Sequence, residues 1–378
     1  MKIGFLTPEY PHPKTGNSGG IGTSIFNLSK GLIQLGHQVS ILVYGQKEDE
    51  VFEENGITFY RIKNVKVKGL SLFLTQNKVE KLINKLHFEN KIDLIEAPDW
   101  TGFTAFIQPK CPLVIRLHGS DTYFCHLEQR PVKARNKFLE SRAFKKADGI
   151  ISVSRFTGDE TNKVFKTSRS FVVIPNAINT DNFRASLPNK NQKLLYFGTL
   201  IRKKGALELP LIFNEVYLSN PEAKLILIGK DSKDKLSGSD STWQIMQPLF
   251  DSNALQNVKY LGSVPYAEME KNIEQAAVCV FPTFAEALPV SWLEAMAMQK
   301  PIVASDIGWA VEIIDDGNDG FLENPKKSQA FASKITAILA DETLQNRIGM
   351  AARKKIEEKF SAEIIAQHSV DFYQKFLD

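Results

Sequence analysis

Two glutamates, Glu286 and Glu294, stand eight positions apart in the segment PTFAEALPVSWLEAMAMQKPIVASDIGWAVEIID (282–315). A helix is expected to begin between them, near Pro289, because proline is tolerated in a first turn where its missing N–H has no intrahelical partner. A helix amino end attracts phosphate, and a carboxylate accepts hydrogen bonds from neighbouring hydroxyls. The pattern therefore suits the binding of a sugar attached to a nucleotide, although acidic residues also favour the first turn of ordinary helices.

Three further segments carry side chains or amides suited to a ligand. His118 ends the predicted strand PLVIRLH, and ligands gather at such strand ends, although a lone histidine is also typical of a structural position. Gly19 and Gly20 open a helix after the first strand, where glycine lets backbone amides approach an anion. Arg202 and Lys204 follow a strand and would neutralise a diphosphate, or they belong to a solvated turn.

Short aliphatic runs alternate with longer helical patterns, which predicts parallel sheets. One series runs from KIGFLT to SFVVIP, and another from KLLYFG to PIVAS, with the polar link NTDNFRASLPNKNQ (179–192) between them. We predict two Rossmann-like, doubly wound parallel-sheet domains, 1–184 and 185–360, that face one another across a cleft. The final helical stretch 361–378 is expected to return to the first domain. The predicted helices cover 21–36, 75–89, 131–146, 205–219, 266–276 and 289–298.

Length and composition agree with a globular protein of two domains. The chain of 378 residues exceeds the size at which one core usually stops growing. It has no apolar run of about 18 residues, and its start, MKIGFLTPEYPHP, is too rich in proline for a signal peptide, so we expect a cytoplasmic protein. Cys111, Cys125 and Cys279 are odd in number and widely spaced, which argues against a disulfide framework and for reduced thiols. The absence of D-x-D, C-x-x-C and H-E-x-x-H patterns predicts that no metal is bound.

Charge is distributed unevenly along the chain. Residues 1–184 carry 26 Lys and Arg against 18 Asp and Glu, whereas the remainder carries 21 against 25. Much of the excess lies in RIKNVKVK (61–68) and RPVKARNKFLESRAFKKAD (130–148). These runs would attract an anionic membrane surface or a phosphorylated acceptor, although a solvated helix face explains the second run equally well. No nucleic-acid partner is predicted.

The segment that contains Glu286 and Glu294 resembles the signature E-G-x-G-x-x-x-x-E-A-M-A-x-G-x-P-V-V-A-S, with a later G-G-x-x-E, of the retaining family 4 glycosyltransferases. Further likeness is found in GGIGTSIFNLSKGLIQLGHQV, in the V-H-x pattern at His118, in GTLIRKKG and in VIPNAINTDNF, so it covers most of the chain. The chain departs from the family where Ala287, Pro289, Gln299 and Trp309 replace glycines, and where Thr199 replaces the arginine of G-R-L-x-x-x-K-G.

This resemblance implies a GT-B fold in which the second domain binds the donor and the first binds the acceptor. Glu286 would orient sugar hydroxyls, and His118 would lie against the transferred sugar, so these two are the predicted catalytic residues. Asp121 is the predicted acceptor residue. The residues assigned to donor binding are Gly19, Gly20, Arg202, Lys204, Lys230, Val264, Ala287, Leu288, Pro289, Val290 and Glu294.

Individual donor roles follow from the same likeness. Glu294 would bind the ribose, and Lys204 would hold the diphosphate, with Arg202 in place of the missing arginine. Lys230 and Val264 fall where the family holds the base, although both are equally consistent with loop and packing positions.

The predicted function is a metal-independent, retaining transfer of a sugar from a nucleotide-diphosphate sugar, with UDP as the first choice. The acceptor would be a hydroxyl of a glycan, glycolipid or other molecule in cell-surface glycan or glycolipid synthesis. The protein is expected in the cytoplasm, or peripherally on the inner face of the membrane. The alternatives are a nucleotide-sugar epimerase or phosphorylase of similar architecture, and a non-catalytic sugar-nucleotide binding protein.

Overall fold

A computed structural model of the protein describes residues 1–16, 18–186 and 191–377. They form two compact units: unit 1 comprises Met1–Asn179 and Phe360–Asp378, and unit 2 comprises Thr180–Lys359. Each unit is built on one largely parallel sheet, which confirms the predicted fold class of two α/β units. Part of the predicted linker, residues 187–190, lies outside the described residues.

Unit 1 contains an eight-stranded sheet whose neighbouring strands are all parallel except for one pair at its edge. Its strands are β1 (Lys2–Thr7), β2 (Gln38–Gln46), β3 (Glu50–Glu54), β4 (Ile57–Lys63), β5 (Leu94–Pro98), β6 (Leu113–Leu117), β7 (Gly149–Ser152) and β8 (Val172–Val173). The spatial order is β3-β4-β2-β1-β5-β6-β7-β8, and β3 runs antiparallel to β4. Every residue of β5 and β6 is buried, as expected for central parallel strands covered on both faces.

Five helices follow the strands of unit 1 along the chain. They are α1 (Gly20–Gln34), α2 (Ser71–Phe88), α3 (Asp121–Leu127), α4 (Ala134–Lys146) and α5 (Arg155–Phe165), with a 3-10 turn at Trp100–Gly102. Ser120 and Ser154 cap α3 and α5 by accepting a hydrogen bond from a first-turn N–H.

Unit 2 contains a six-stranded sheet in which every pair of neighbouring strands is parallel. The strands are β9 (Lys193–Phe197), β10 (Lys224–Ile228), β11 (Val258–Tyr260), β12 (Val278–Phe281), β13 (Ile302–Ser305) and β14 (Phe321–Glu323), in the order β11-β10-β9-β12-β13-β14. The α-helices after β8 are α6 (Glu208–Ser219), α7 (Thr242–Met246), α8 (Ser252–Leu255), α9 (Met269–Glu274), α10 (Val290–Ala297), α11 (Ser328–Ala340), α12 (Glu342–Lys355) and α13 (Ala362–Gln374). Shorter turns of 3-10 helix cover Arg202–Lys204, Gln247–Leu249, Tyr266–Glu268 and Gly308–Glu312, and a π-helical turn covers Ile356–Phe360.

The last helix, α13, is fixed to the sheet of unit 1. It packs on α1 at Gly31, where a Cβ atom would lie 2.2 Å from the carbonyl oxygen of Ala362, so a side chain does not fit. The Tyr373 hydroxyl donates to Glu96 Oε2 at 2.5 Å. The same Glu96 carboxylate accepts two hydrogen bonds from Arg116, at 2.8 and 3.0 Å. The C-terminal helix therefore belongs to unit 1 through a buried polar network as well as apolar packing.

The predicted helices all correspond to observed ones, but several elements were not anticipated. Strand β3 has the acidic sequence EVFEE and pairs at the sheet edge, where it is largely exposed. An exposed edge strand does not need apolar residues, so its sequence contains no apolar run that would predict it. The short helices α3 and α7 each span one or two turns, too few to establish a helical period. Within the described residues, no helix combines the length and apolarity that crossing a bilayer requires.

Candidate active site

Two loops of unit 2 meet at the carboxyl ends of the neighbouring strands β9 and β12. The Lys203 carbonyl oxygen accepts hydrogen bonds from the N–H groups of Phe284 and Ala285, at 2.8 and 3.1 Å. Gly205 has φ +71°, and a Cβ atom there would lie 1.8 Å from the Pro282 carbonyl oxygen. The turn after β9 and the loop after β12 are therefore held in direct backbone contact.

This contact brings two predicted site residues together. Lys204 Nζ lies 2.9 Å from Glu286 Oε1, and the two side chains are 25% and 15% exposed. The negative charge of Glu286 also acts on Tyr196, whose pKa is raised above its ordinary range by burial and then by this carboxylate. The strand-end loops thus present a partly enclosed pair of opposite charges.

The second glutamate lies on the helix that follows. Helix α10 starts at Val290, directly after Pro289, which confirms the predicted helix start. Glu294 is 5% exposed and accepts a hydrogen bond from the Tyr266 hydroxyl at 2.8 Å. Burial raises its pKa to about 7, although the Tyr266 hydroxyl and the charge of Lys204 act in the opposite direction. A buried carboxylate of this kind is suited to accept hydrogen bonds from ligand hydroxyls.

The segment between the two glutamates is almost fully enclosed. The side chains of Ala287 and Leu288 are each 4% exposed, Pro289 is buried and Val290 is half-buried. Because these apolar side chains are turned into the protein, the backbone is the part of the segment suited to contact a ligand.

Arg202 forms an ion pair with Asp234. Its Nε and Nη2 atoms donate to the two carboxylate oxygens of Asp234, at 2.6 and 2.8 Å. Asp234 is 4% exposed, and its pKa is held well below the usual range, chiefly by this hydrogen bond from Arg202. The role of Arg202 in binding a diphosphate remains a prediction. The guanidinium would have to contact the diphosphate while it is paired with Asp234, or leave that carboxylate.

Lys230 and Val264 follow the neighbouring strands β10 and β11. The Lys230 side chain is exposed, and its carbonyl oxygen accepts a hydrogen bond from the Leu200 N–H at 2.9 Å. Val264 is half-buried. Both lie on strand-end loops at the same edge of the sheet as Lys204, as expected for their predicted place around a base, a role that stays a prediction.

In unit 1, His118 follows β6 and is tied to a second carboxylate. Its backbone N–H donates to Asp99 Oδ1 at 2.9 Å. Burial, followed by the charge of Arg116, lowers the pKa of His118 to about 3, so its imidazole is neutral at physiological pH. Asp99 is 5% exposed, and burial raises its pKa to about 7. Sequence reasoning missed Asp99, although it directly follows β5 as His118 follows β6.

Asp121 begins α3, three residues beyond His118 in the sequence. Its carboxylate accepts hydrogen bonds from Asn136 at 2.9 Å and from Arg130 at 3.3 Å. Burial opposes the ionisation of Asp121, but these two partners outweigh it and lower the pKa. Its N–H donates to Glu140 Oε1 at 3.0 Å, which links α3 to α4.

The amino end of α1 already contacts a carboxylate. Gly19 is the residue before the helix, and a Cβ atom there would lie 3.2 Å from Glu9 Oε1. The same oxygen accepts the Gly22 N–H at 3.0 Å. A Cβ atom on Gly20 would meet no atom within 4 Å. Glu9 therefore occupies part of the place predicted for an anion, and no sequence pattern indicates this contact.

The cysteines and possible metal ligands among the described residues do not form a metal site. Among the residues that the structure describes, no cluster of three or more His, Cys, Asp and Glu side chains is arranged to hold a metal ion. Burial raises the pKa values of Cys111 and Cys125 to about 11 and that of Cys279 to about 12, so the three free thiols are protonated at neutral pH.

Comparison with known proteins relates both units to enzymes that transfer sugars. The family model described as Glycosyl transferases group 1 matches residues 178–355, and that described as Glycosyltransferase Family 4 matches residues 18–182. An uncharacterized glycosyltransferase of Methanocaldococcus jannaschii is 28% identical over 398 residues, which cover 99% of this chain and 98% of that protein.

Solved structures show the same architecture. Sucrose-phosphate synthase from Thermosynechococcus elongatus has a TM-score of 0.78 at 19% identity, with 99% of each chain covered. The Anabaena protein HepE, solved in complex with UDP, has a TM-score of 0.75 at 20% identity and covers 99% of this chain and 100% of its own. At these identities the likeness shows the fold, which is of the GT-B type.

Proposed function

Since this chain belongs to the family 4 glycosyltransferases, we propose that it transfers a sugar from a nucleotide-diphosphate sugar to an acceptor hydroxyl with retention of anomeric configuration. The observation that carries the proposal is the placement of Lys204, Glu286 and the buried Glu294 around the start of α10, at the carboxyl ends of β9 and β12. UDP is the first candidate for the nucleotide, because the Anabaena relative of the same fold was solved with UDP.

Each of these groups is suited to one part of the donor. The Lys204 ammonium would neutralise the diphosphate, and the amino end of α10 would add the partial positive charge of its backbone N–H groups. Glu286 would release Lys204 and accept hydrogen bonds from sugar hydroxyls. Glu294 would accept hydrogen bonds from the ribose. These assignments make unit 2 the donor-binding unit.

The resemblance to retaining enzymes suggests how the bond is exchanged. The acceptor oxygen would attack the anomeric carbon on the face that the nucleotide leaves, and a departing phosphate oxygen would take the acceptor proton. Negative charge then grows on the diphosphate, where Lys204 and α10 stabilise it. Protein groups supply the positive field in this proposal, so we expect a transfer that does not depend on a metal.

Unit 1 is the proposed acceptor side. The neutral imidazole of His118 would act there as a hydrogen-bond partner of the transferred sugar, and Asp121 would contact the acceptor. The basic excess of residues 1–184 favours a glycan or glycolipid acceptor made at the cytoplasmic face of an anionic membrane, with the protein in peripheral contact. A role in cell-surface glycan or glycolipid synthesis follows from this proposal.

A donor screen followed by product analysis tests the function. Thermal unfolding is measured with UDP-, GDP- and ADP-sugars, because a ligand that binds the folded state raises the unfolding midpoint. We expect one nucleotide class to stabilise the protein. The stabilisation should be lost in Lys204→Met but kept in Lys224→Met, because Lys224 lies at the amino end of β10, away from the strand-end loops that carry Lys204 and Glu286. Equal stabilisation of wild type and Lys204→Met would overturn the donor site.

Turnover with that donor separates transfer from related activities. We expect free nucleotide diphosphate to be released only when an acceptor is added. The rate should not change in EDTA, and NMR should show a product of retained configuration. Conversion of the sugar without an acceptor would identify an epimerase instead. Binding without turnover across a broad panel of hydroxyl acceptors would identify a non-catalytic binding protein.

A further inference from the structure

Two lysine-rich segments that are distant in the sequence, 62–74 and 131–147, come together on one side of unit 1. Leu72, at the start of α2, packs against Ala105 and against Leu139 and Ala143 of α4. The Arg142 guanidinium lies 4.7 Å from the centre of the Phe106 ring. The two segments and the residues around Phe106 therefore form one continuous surface, which we call the basic face.

The basic face exposes large apolar side chains. Val67, Leu70 and Phe73 are 42%, 55% and 54% exposed, and Phe106 and Phe138 are 38% and 58% exposed. The rings of Phe106 and Phe138 lie 6.4 Å apart and so form a joined aromatic patch. Single exposed apolar residues are ordinary, but a contiguous group of this kind marks a binding surface.

Cations surround these apolar groups without acidic neighbours in the same segments. Eight Lys and Arg side chains of 62–74 and 131–147 are exposed. The two segments contain one acidic residue, Glu140, which is 2% exposed and accepts hydrogen bonds from the backbone of α3. The surface charge of the basic face is therefore positive throughout these segments.

A groove in the same face combines lysines with aromatic side chains. It lies between α4 and the end of α5, has a volume of about 550 Å³, and has Phe138 and Phe165 among its apolar lining. Lysines line it as well, among them Lys137, Lys145 and Lys166. Aromatic side chains beside lysines are the composition that binds the headgroup region of an anionic bilayer.

We propose that the basic face docks unit 1 on a bilayer that contains anionic phospholipid, with Phe73, Phe106 and Phe138 entering the headgroup region. The basic face would make the membrane contact that is part of the proposed function, and this role does not depend on the identity of the donor. Glu140 of helix α4, the helix that carries Phe138, accepts the hydrogen bond from the Asp121 N–H at the start of α3, so docking fixes the proposed acceptor residue with respect to the bilayer. A lipid-linked hydroxyl acceptor is consistent with that arrangement.

Co-sedimentation of the full chain with vesicles tests the proposal. We expect binding to vesicles of phosphatidylcholine with phosphatidylglycerol, little binding to phosphatidylcholine alone, and weaker binding at high salt. Lys66→Gln/Lys68→Gln should lower the partition constant about 30-fold, the equivalent of two lysines at about 1 kcal/mol each. The matched control, Lys224→Gln/Lys271→Gln, removes two exposed lysines of unit 2 and should bind like wild type.

A second pair of variants tests the apolar part of the face. Phe106→Ser/Phe138→Ser should weaken the binding that persists at high salt, whereas Leu218→Ser, at a 72% exposed residue of α6, should not. Donor-induced thermal stabilisation, which reports the site in unit 2, should be unchanged in all of these variants and shows that they fold. If no nucleotide sugar stabilises the wild-type protein, the donor proposal fails, but the vesicle-binding results would still test membrane docking independently.

Two results would overturn the inference. One is equal binding of wild type and the basic-face variants to anionic vesicles. The other is absence of vesicle binding together with a self-association that the same variants abolish, which would make the face a contact between two copies of the chain. Analytical ultracentrifugation without vesicles distinguishes the second result.

Discussion

Lys204 and Glu286 form an ion pair, with Nζ 2.9 Å from Oε1, although they lie on loops that follow different strands. A donor would replace both halves of this contact, since its diphosphate attracts the ammonium and its sugar hydroxyls donate to the carboxylate. We therefore expect Lys204→Met to lower kcat by about 10²–10³, the usual cost of removing one group that stabilises transition-state charge. Steady-state kinetics with saturating donor measures this change.

The matched control for that substitution is Lys224→Met. Lys224 is an exposed lysine at the amino end of β10, so its loss changes the net charge equally but leaves the strand-end loops intact. Its kcat should stay within about twofold of wild type. A large loss of kcat in this control would indicate a general effect of charge, and near-wild-type turnover of Lys204→Met would remove Lys204 from the site.

Glu294 should make the protein less stable as the pH rises. Its pKa moves from 4.5 to about 7 because burial disfavours the carboxylate, so the folded protein holds the proton more tightly than the unfolded chain does. Its contribution to the free energy of unfolding is therefore full below pH 4.5 and is lost as the pH passes about 7. The rise in pKa from 4.5 to about 7 corresponds to a loss of about 3 kcal/mol in the free energy of unfolding.

Glu294→Gln tests this linkage because the amide keeps the shape of the protonated acid and does not ionise. The unfolding midpoint of the variant, compared with wild type, should rise between about pH 5 and about pH 8. Donor affinity should fall in the variant, because a neutral amide replaces an acceptor-only carboxylate. A difference in midpoint that does not change with pH would contradict the assigned pKa.

Much of the fold follows from the sequence because central parallel strands are buried on both faces. LIEAP and LVIRL are buried throughout. Apart from Glu96 and Arg116, which are hydrogen-bonded to each other, they consist of the apolar residues from which β5 and β6 are predicted. Strand β3 is stabilised by pairing with β4 at an edge, and such pairing imposes no apolar pattern. The sequence therefore predicts the sheet centres better than their margins.

The candidate site divides in a similar way. Glu286 and Glu294 are predictable because they lie on one short segment, in which their spacing on either side of a helix start indicates a ligand site. Tyr266, Asp234 and Glu9 reach their partners from loops that are 28, 32 and 13 positions away, and spacing alone does not reveal such contacts. Tertiary packing brings those partners together, so only the structure identifies them.

His118 should remain neutral over the whole range in which the enzyme is assayed. Burial and the charge of Arg116 lower its pKa from 6.5 to about 3. The unfolded chain takes up a proton near pH 6.5 but the folded protein does not, so this histidine contributes stability above that pH and loses it as the pH falls. Its ring resonances in an NMR titration should not shift between about pH 5 and about pH 8.

The proposed role of His118 is tested by its kinetics. His118→Ala should lower kcat by about 10²–10³ while donor affinity changes little, because the imidazole is assigned to the acceptor unit and to the transferred sugar. A kcat inflection near the ordinary histidine pKa that disappears in His118→Ala would show that the ring does titrate. Unchanged kcat would show that His118 is a structural residue.

Gly205→Ala should damage the site through the backbone. Gly205 has φ +71°, and an added Cβ atom would lie 1.8 Å from the Pro282 carbonyl oxygen, in the contact that sets Lys204 beside Glu286. Gly317 has φ +78° but no atom within 4 Å of such a Cβ, so Gly317→Ala keeps the left-handed strain, about 1 kcal/mol, and omits the clash. We expect Gly317→Ala to lower the unfolding midpoint slightly and to keep donor-induced stabilisation.

Gly205→Ala should lower the midpoint further and lose that stabilisation, because the turn must move away from the loop of Glu286. Equal behaviour of the two variants would mean that the contact with Pro282 is not what positions Lys204.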